Sequence, residues 1–454
     1  MAYKVVVAGG GASGLAAAIF AAENGARVTV LEHKDRVGKK ILMTGNGRCN
    51  LTNMSDVHGK YYSSDADSLN KIYDTLVRFG AGRTRDFFKR LGLYTKEKRD
   101  GGVYPVSEQA SIVLDVLRST CIRLGVEIRT DCEVMAVRPV RTGGGVVYVT
   151  QYISPALRPD LPSSGSDKKV QSKNKIPYDR LILATGGKAA SVSGSDGSGY
   201  ELARSLGHSV IEPLPALVQL RCEGAFFKAL SGVRAQGRVR LLIDGREAAC
   251  EEGELQLVDY GISGIPVFQM SRLASRALHE GKQCEAVIDF LPYMDIENMD
   301  IKNIDIKKTD NRIFDHSIGE NIQAFPHKTV EEFLSGMVHK KVASVVCKQN
   351  KITPTETVGQ IGTGKIWDCI RMLADFRVKI TAPNSFEHAQ VCCGGVPLGE
   401  VDENYMSRRC QDVYIVGELL DCDGICGGYN LQWAWATGAI AGADAACRSM
   451  GKGE

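Results

Sequence analysis

Hydrophobic and polar positions alternate between two rhythms along the chain. Residues 3–8 form a short apolar run around Val5, Val6 and Val7, a glycine-rich turn covers 9–14, an alanine-rich stretch at 15–24 has helical spacing, and 27–32 is apolar again. An apolar strand, a tight turn, a helix and a second apolar strand make a βαβ unit, because strands covered on both faces lose the alternation of half-exposed ones. A long loop is expected over 34–53, helices over 69–91 and 112–124, and a strand over 126–140. Residues 141–175 shift to Gly, Ser, Pro and Lys around 148–153, the pattern of a hairpin with a mobile surface loop. A buried strand returns at 178–184, so the first sheet is expected to be discontinuous in sequence.

The middle of the chain changes character. Short β-prone runs at 217–221, 238–243 and 254–258, separated by turns, predict a small barrel-like insert. Helical spacing resumes at 268–278 and 330–346, while 294–312 is rich in Asp, Asn, Lys and Ile without stable periodicity and is expected to be a surface loop. β-like runs return after 386, with a strand at 413–416 and an apolar helix at 430–448. The expected class is α/β. A Rossmann-type nucleotide domain over 1–200 and 393–454 is interrupted by a β-rich insert over 201–266 and 361–392, which itself carries a helical insert over 267–360. A chain of 454 residues needs more than one core, since single cores stop growing at roughly 250 to 300 residues.

Charge and cysteine content narrow the setting. With 56 basic and 53 acidic residues the net charge is +3, which predicts no nucleic-acid partner and no stable membrane association. Fourteen irregularly spaced cysteines without a secretory leader favour reduced thiols and a cytoplasmic location. No apolar run reaches the roughly 18 residues of a spanning helix.

Gly9-Gly10-Gly11-Ala12-Ser13-Gly14 matches G-x-G-x-x-G between a strand and a helix, with Glu32 ending the next strand. Gly9 permits the tight turn, Gly11 lets a diphosphate approach the backbone, and Gly14 lets helix pack on strand, with the helix amides facing the anion. Glu32 can accept from both ribose hydroxyls of an adenosine and would repel a 2′-phosphate, so FAD or NAD fits and NADP does not. Later segments favour FAD. Thr185-Gly186-Gly187 closes a second strand with small residues that allow backbone to lie against a dinucleotide, and Gly417-Glu418 places a carboxylate for a ribityl or ribose hydroxyl. Gly427-Gly428-Tyr429-Asn430-Leu431-Gln432 opens the last helix, whose N-terminus carries about half a positive charge. Such an end would face the pyrimidine edge of a flavin.

The segment 39–50, dense in Gly, basic and amide groups, reads as a cofactor-covering loop. Arg48 could neutralise phosphate or substrate charge, and Asn46 and Asn50 could bond the ring or the ribityl chain. Cys49 lacks a partner at dithiol spacing, and Cys422 and Cys426 read better as buried small residues than as a redox pair. No histidine pair, or histidine and cysteine pair, has zinc-site spacing, so no metal is expected. Gly194 to Gly199 repeats the glycine pattern without a preceding buried strand, so any NAD(P)H would dock only transiently on the flavin.

These segments resemble a bacterial family of FAD-dependent flavoproteins that includes the 3-dehydro-bile-acid Δ(4,6)-reductase of gut anaerobes and proteins described as aminoacetone oxidases. The likeness spans nearly the whole chain. It rests on residues 7–15, 38–53, 252–254 with 260–264, and 416–435, most specifically Asp423-Gly424 followed by 427–434. The chain departs from the pattern at Cys422 and Cys426, where Val and Thr are usual, and at Ile265-Pro266, where Pro alone follows the glycine. The resemblance implies FAD as cofactor and a Rossmann-type FAD-binding domain with the nested inserts read above. The expected cofactor contacts are Gly9, Gly11, Ala12, Ser13, Gly14, Leu15, Glu32, His33, Lys40, Gly45, Asn46, Gly47, Arg48, Cys49, Asn50 and Val134. Thr185, Gly186, Gly187, Gly417, Glu418, Gly428, Tyr429, Asn430 and Leu431 complete the set.

The leading expectation is a reductase in which reduced FAD, regenerated by NAD(P)H, delivers hydride to the β-carbon of an α,β-unsaturated ketone. By resemblance the small-molecule substrate is a 3-oxo bile acid or similar steroid enone. Arg48, Tyr429 and Asn430 are the candidates for stabilising enolate charge. The alternatives are an oxidase of a small amine such as aminoacetone, and an FAD-bearing binding or RNA-associated protein without turnover.

Overall fold

The computed structural model describes residues 2–65, 67–140, 143–153, 170–294 and 313–447. The chain divides into two compact units, Met1–Leu214 with Phe386–Glu454, and Pro215–Ser385.

The first unit is built on a parallel sheet in the order Val413–Ile415, Arg180–Leu183, Lys4–Ala8, Arg27–Leu31, Glu127–Arg129. Val5, Val6, Val7 and Ala8 are all buried, which is why that strand reads as an unbroken apolar run. The helix Ala12–Glu23 packs against the last helix, Tyr429–Ala446. A Cβ on Gly438 would lie 2.3 Å from the Ser13 carbonyl oxygen, and one on Gly442 2.2 Å from that of Ala17. These two small residues, one helical turn apart, set how closely the chain's last helix approaches its first.

Several elements differ from the sequence pattern for local reasons. The first helix begins at Ala12, inside the glycine motif, because Gly11 takes the extended conformation of an N-cap (φ −81°, ψ −164°). The apolar spacing over 69–91 divides into Ser68–Arg78 and Ala81–Arg90 at Phe79 and Gly80. The run over 126–140 divides at Asp131, whose φ is +50°. Glu127–Arg129 joins the parallel sheet and Cys132–Pro139 pairs with Gly145–Ile153 in a separate antiparallel sheet. The hairpin expected over 141–175 has strands Gly145–Ile153 and Val170–Tyr178; residues 141–142 and the tip, 154–169, lie outside the described residues. The expected loop over 34–53 contains a short helix, Lys39–Met43, and a tight turn, Thr44–Gly47.

The second unit is a closed antiparallel barrel in the order Leu220–Cys222, Gly261–Gly264, Arg246–Val258, Arg234–Ile243, Cys284–Asp289, Phe376–Pro383. Val239, Leu241, Leu255, Leu257, Ala286, Ile288, Val378 and Ile380 occupy alternate strand positions and fill the core with the helix Ile265–His279. Between the last two barrel strands run helices at Ile313–Ala324, Val330–Ser335, Lys340–Gln349, Val358–Ile361 and Thr363–Ala374. Cys284–Asp289, within the stretch read as helical, is a barrel strand; Thr363–Ala374, within the stretch read as β-rich, is a helix. A six-residue apolar run is too short for its period to declare itself. The loop expected over 294–312 lies outside the described residues from 295 onward.

Candidate functional site

Parallel strands deliver their following loops to one edge of the sheet, and in such folds ligands collect at that carboxyl edge. Four such loops carry Gly9 to Gly14, Glu32 with His33, Thr185 to Gly187, and Gly417 with Glu418.

The three motif glycines have three separate physical causes. Gly9 has φ +105°, and a Cβ there would lie 2.3 Å from the Ala184 carbonyl oxygen. Gly14 is packed just as tightly, 2.0 Å from its Cβ position to the Gly9 oxygen. At Gly11 a Cβ would meet nothing within 4 Å. The first two glycines are demanded by the protein's own packing, whereas the third leaves open space above the helix N-terminus, where backbone amides and helix dipole favour an anion. Ala12 and Ser13 follow in the first turn, Ser13 lying against Gly417. Leu15 is fully buried and packs in the core beneath the turn.

Glu32 is held by the backbone. Its carboxylate accepts from the Gly10 amide at 2.9 Å and from the Lys34 amide at 2.9 Å, which fixes it at the end of the second strand. His33 stands beside it, with Nδ1 3.4 Å from one Glu32 oxygen and Nε2 3.9 Å from the Asp196 carboxylate. Val134 is half-buried on the neighbouring strand, which begins where the Cys132 amide donates to the Glu32 carbonyl at 2.9 Å. The stretch from Gly194 to Gly199, which sequence reasoning set aside, therefore packs against the Glu32 side of the site. Its signal was the glycine spacing, read as a failed second nucleotide motif.

On the other side Lys40 Nζ donates to Glu418 at 2.6 Å, and the second Glu418 oxygen accepts from the Cys392 amide at 3.0 Å. Gly187 must be small, since its Cβ would lie 2.9 Å from Glu418 Oε1 and 3.1 Å from the Tyr200 hydroxyl. Gly186, at φ +75°, faces Ser195.

The covering loop is tightly wound. Gly45, Asn46 and Cys49 all have left-handed backbone angles, Asn46 and Gly47 are exposed, and Cys49 is fully buried. Burial pushes the Cys49 thiol up to about 12, so it remains protonated and is a packing residue. Arg48 donates to the Gly45 carbonyl at 3.2 Å and lies 3.8 Å from Glu108.

At the last helix, Gly428 (φ +99°) is the N-cap, and its Cβ would lie 2.8 Å from the Thr52 backbone and 2.9 Å from Asn50 Oδ1. The covering loop is thereby clamped to the helix start. Burial first, then the nearby Asp100 and Asp56 carboxylates, raise the Tyr429 phenol, which keeps its proton at neutral pH. Asn430 is otherwise engaged. Its Nδ2 donates to the Gly424 carbonyl at 2.8 Å and the Ile425 carbonyl at 3.4 Å, while Oδ1 accepts from the Gly424 amide at 2.8 Å. With both amide protons used, Asn430 has no donor left for a substrate carbonyl and is a positioning residue for the Asp423–Gly424 loop. Leu431 is half-buried behind it. Gln432, not singled out in the sequence, accepts from Thr52 and Thr84 and donates to the Phe79 carbonyl at 2.7 Å, tying three segments to the helix.

Four buried polar atoms around these loops make no hydrogen bond within the protein: His33 Nε2, Asn50 Oδ1, Thr185 Oγ1 and Tyr200 Oη. Buried polar groups in native proteins are almost always satisfied, so open valences on these loops leave room for a polar ligand to complete them. With the open cradle at Gly11, they fit a dinucleotide laid along the sheet edge.

A family model described as HI0933-like protein Rossmann domain matches residues 3–444. The chain is 40% identical to a 3-dehydro-bile acid delta(4,6)-reductase of Clostridium scindens over 98% of this chain and 99% of the relative. It is 27% identical to a ribosomal RNA dihydrouridine synthase of Haemophilus influenzae over 95% of this chain and 96% of the relative. Among solved structures it matches a 3-ketosteroid-delta4-(5alpha)-dehydrogenase of Rhodococcus jostii with a TM-score of 0.48 and 16% identity, over 98% of this chain and 97% of that one. Among the described residues no helix is long and apolar enough to cross a membrane.

Proposed function

The chain belongs to the HI0933-like Rossmann family, and from that premise we propose that it is an FAD-dependent reductase of carbon–carbon double bonds conjugated to a ketone, with a 3-oxo bile acid or similar steroid enone as substrate and NAD(P)H as electron donor. The observation that carries this reading is the end-to-end 40% identity to the bile-acid reductase. The names of both relatives support the reaction type. A Δ(4,6)-reductase of 3-dehydro bile acids saturates double bonds in line with a ring ketone, and dihydrouridine is uridine with the double bond beside its ring carbonyl saturated.

FAD supplies the two-electron chemistry when bound. The chain binds, orients and protonates. The amides from Gly11 to Gly14 hold the diphosphate, Glu32 with His33 holds the adenosine ribose, and Glu418 and Thr185 serve the hydroxyls farther along. The N-terminus of the last helix supplies fixed positive potential without needing to reorganise. Tyr429, protonated at neutral pH, hydrogen-bonded to Ser55 and in the first turn of that helix, is the candidate to turn its hydroxyl to the enone oxygen, and Arg48 adds positive charge on the covering loop.

The test is anaerobic. The yellow protein should be bleached by NADH or NADPH and recoloured by a 3-oxo-Δ4 or Δ4,6 bile acid, with the saturated ketone as product. Recolouring by oxygen after reduction with a small amine, and no response to enones, would overturn the reading. Recolouring by uridine-containing RNA alone would overturn the substrate class while leaving the reaction type.

A further inference from the structure

A small antiparallel sheet, Thr52–Asn53, Gly102–Pro105 and Thr95–Glu97, lies next to the covering loop in the first unit. One side of it gathers three cations around one carboxylate. Lys96 Nζ is 2.8 Å and Lys98 Nζ 3.4 Å from Glu108 Oε1, and Arg48 is 3.8 Å from Glu108 Oε2. Lys98 and Arg48 also stack over the Tyr104 ring, at 4.3 and 5.8 Å from its centre. The other carboxylate beside that ring, Asp100, accepts from the Gly102 amide at 3.2 Å.

An ordinary surface ion pair matches one cation to one carboxylate and contributes roughly 0 to 1 kcal/mol. Three cations converging on Glu108 repel one another, and even with Asp100 counted beside the ring the patch keeps one positive charge in excess, so the arrangement favours additional negative charge. Hydrogen bonding from Lys96, with Lys98 acting in the same direction, holds the Glu108 carboxyl below its usual range, so it stays ionised. Glu108 itself has φ +52°, uncommon for a residue with a side chain. The cluster is contiguous with the proposed reaction site. Tyr104 lies 3.1 Å from a Cβ built on Gly102, Asn50 Nδ2 3.2 Å from the same point, and Asn50 Oδ1 2.9 Å from a Cβ built on Gly428. Tyr104 and then Asn50 therefore lie between the cations and the start of the last helix.

We propose that Arg48, Lys96 and Lys98 form an anion-recognition site at the edge of the flavin site, in which Glu108 is a resident carboxylate that an incoming carboxylate or phosphate displaces. The ligand chemistry is a single anionic group on an otherwise apolar or aromatic body, which the Tyr104 ring suits. Its two possible sources are the carboxylate tail of a steroid-acid substrate and a phosphate of the reducing nucleotide. Only the choice of these sources rests on the reductase reading; the site itself rests on its charges.

The test compares holoprotein with the Lys96→Gln/Lys98→Gln double variant and the Glu108→Gln variant, using calorimetric binding of a saturated bile-acid carboxylate, an uncharged steroid ketone, NADH and NADPH. The double variant should bind the bile-acid carboxylate about 10-fold more weakly and Glu108→Gln should bind it more tightly, with the uncharged ketone unchanged and the effect fading at high salt. The same opposite shifts confined to NADH or NADPH would uphold the site with the nucleotide as its source. Equal binding of all four ligands by all three proteins overturns the proposal, as does an equal loss for charged and uncharged steroid. If the anion responses appear but no enone is reduced, the site stands and the reductase reading falls.

Discussion

Replacing Gly11 and Gly14 separately by alanine distinguishes a glycine kept for a ligand from one kept for the fold. At Gly14 the new methyl would sit 2.0 Å from the Gly9 carbonyl oxygen and 3.3 Å from the Ala184 side chain, so backbone has to move. Overpacking of that kind costs about 1 to 3 kcal/mol. At Gly11 the methyl meets no protein atom within 4 Å, and φ −81° suits alanine. The remaining cost is exchanging glycine for alanine at a helix N-cap, at most about 1 kcal/mol, or a few degrees of melting temperature. The methyl does, however, occupy the space through which a diphosphate would reach the amides. Breaking one charge-assisted hydrogen bond costs about 1.5 to 3 kcal/mol, equivalent to a roughly 10- to 100-fold loss of FAD affinity. Scanning calorimetry of the apoproteins, with FAD titrated into each, measures both quantities. Gly11→Ala should melt near wild type and lose FAD; Gly14→Ala should melt well below it. Wild-type FAD affinity in Gly11→Ala would refute the assignment of this loop to the diphosphate.

Asn430→Asp replaces two donors with a charged acceptor facing the Gly424 and Ile425 carbonyls, and should lower stability by about 2 to 3 kcal/mol in denaturant titration. Unchanged stability with lost enone turnover would restore a direct role for this side chain. Acid should weaken the first unit through His208, whose Nδ1 lies 2.7 Å from Glu400 and Nε2 2.7 Å from Ser407 Oγ. Ser407 Oγ also accepts from the Arg409 and Cys410 amides, leaving its own proton for Nε2, so the imidazole is neutral in the folded state. Burial depresses its pKa below the ordinary 6.5, so the unfolded chain takes up the proton first and the stabilisation is lost as pH falls below that value. Melting temperatures between about pH 7 and 5 should fall less steeply in His208→Gln than in wild type, and parallel slopes would dismiss the idea. Cys49, buried with its thiol raised to about 12, should resist iodoacetamide at pH 8 in the native protein, whereas exposed Cys250 reacts; comparable labelling in peptide mass spectra would count against the packing described.

The Rossmann core was legible because its signals are local. Four consecutive residues, Val5 to Ala8, fill the apolar run of the first strand, and the glycine motif begins at the next position. Strand order was less accessible, since Arg180–Leu183 and Val413–Ile415 join the sheet across more than 150 and 400 residues from the first strand, and apolarity alone does not state neighbours. The barrel strand Cys284–Asp289 falls in the stretch read as helical for a related reason, while its partner Phe376–Pro383 lies in the stretch read as β-rich. Cys284–Asp289 needs partners from distant segments to declare its period, and the helical stretch that follows it dominates the pattern.

The site divides along the same line. Glu32, Gly417 and Gly428 stand at strand or helix ends, where position in the element already implies direction; Glu32 and Gly417 follow strands of the parallel sheet, and Gly428 caps the last helix. Side-chain roles were not legible in that way. The Asn430 amide is spent on Gly424 and Ile425, which its place at a helix start does not reveal, and Lys40 and Glu418, 378 positions apart, pair with each other. Net charge says least about such local features, because it averages over the surface. A chain only +3 overall still sets Arg48, Lys96 and Lys98 around Glu108, an arrangement made by one short sheet and one turn. Within about a Debye length, roughly 8 Å at physiological salt, an anionic ligand responds to that local field and hardly at all to the balance of charges elsewhere. Recognition of charge by this protein is therefore a question about the edge of one loop, and the double lysine variant addresses it directly.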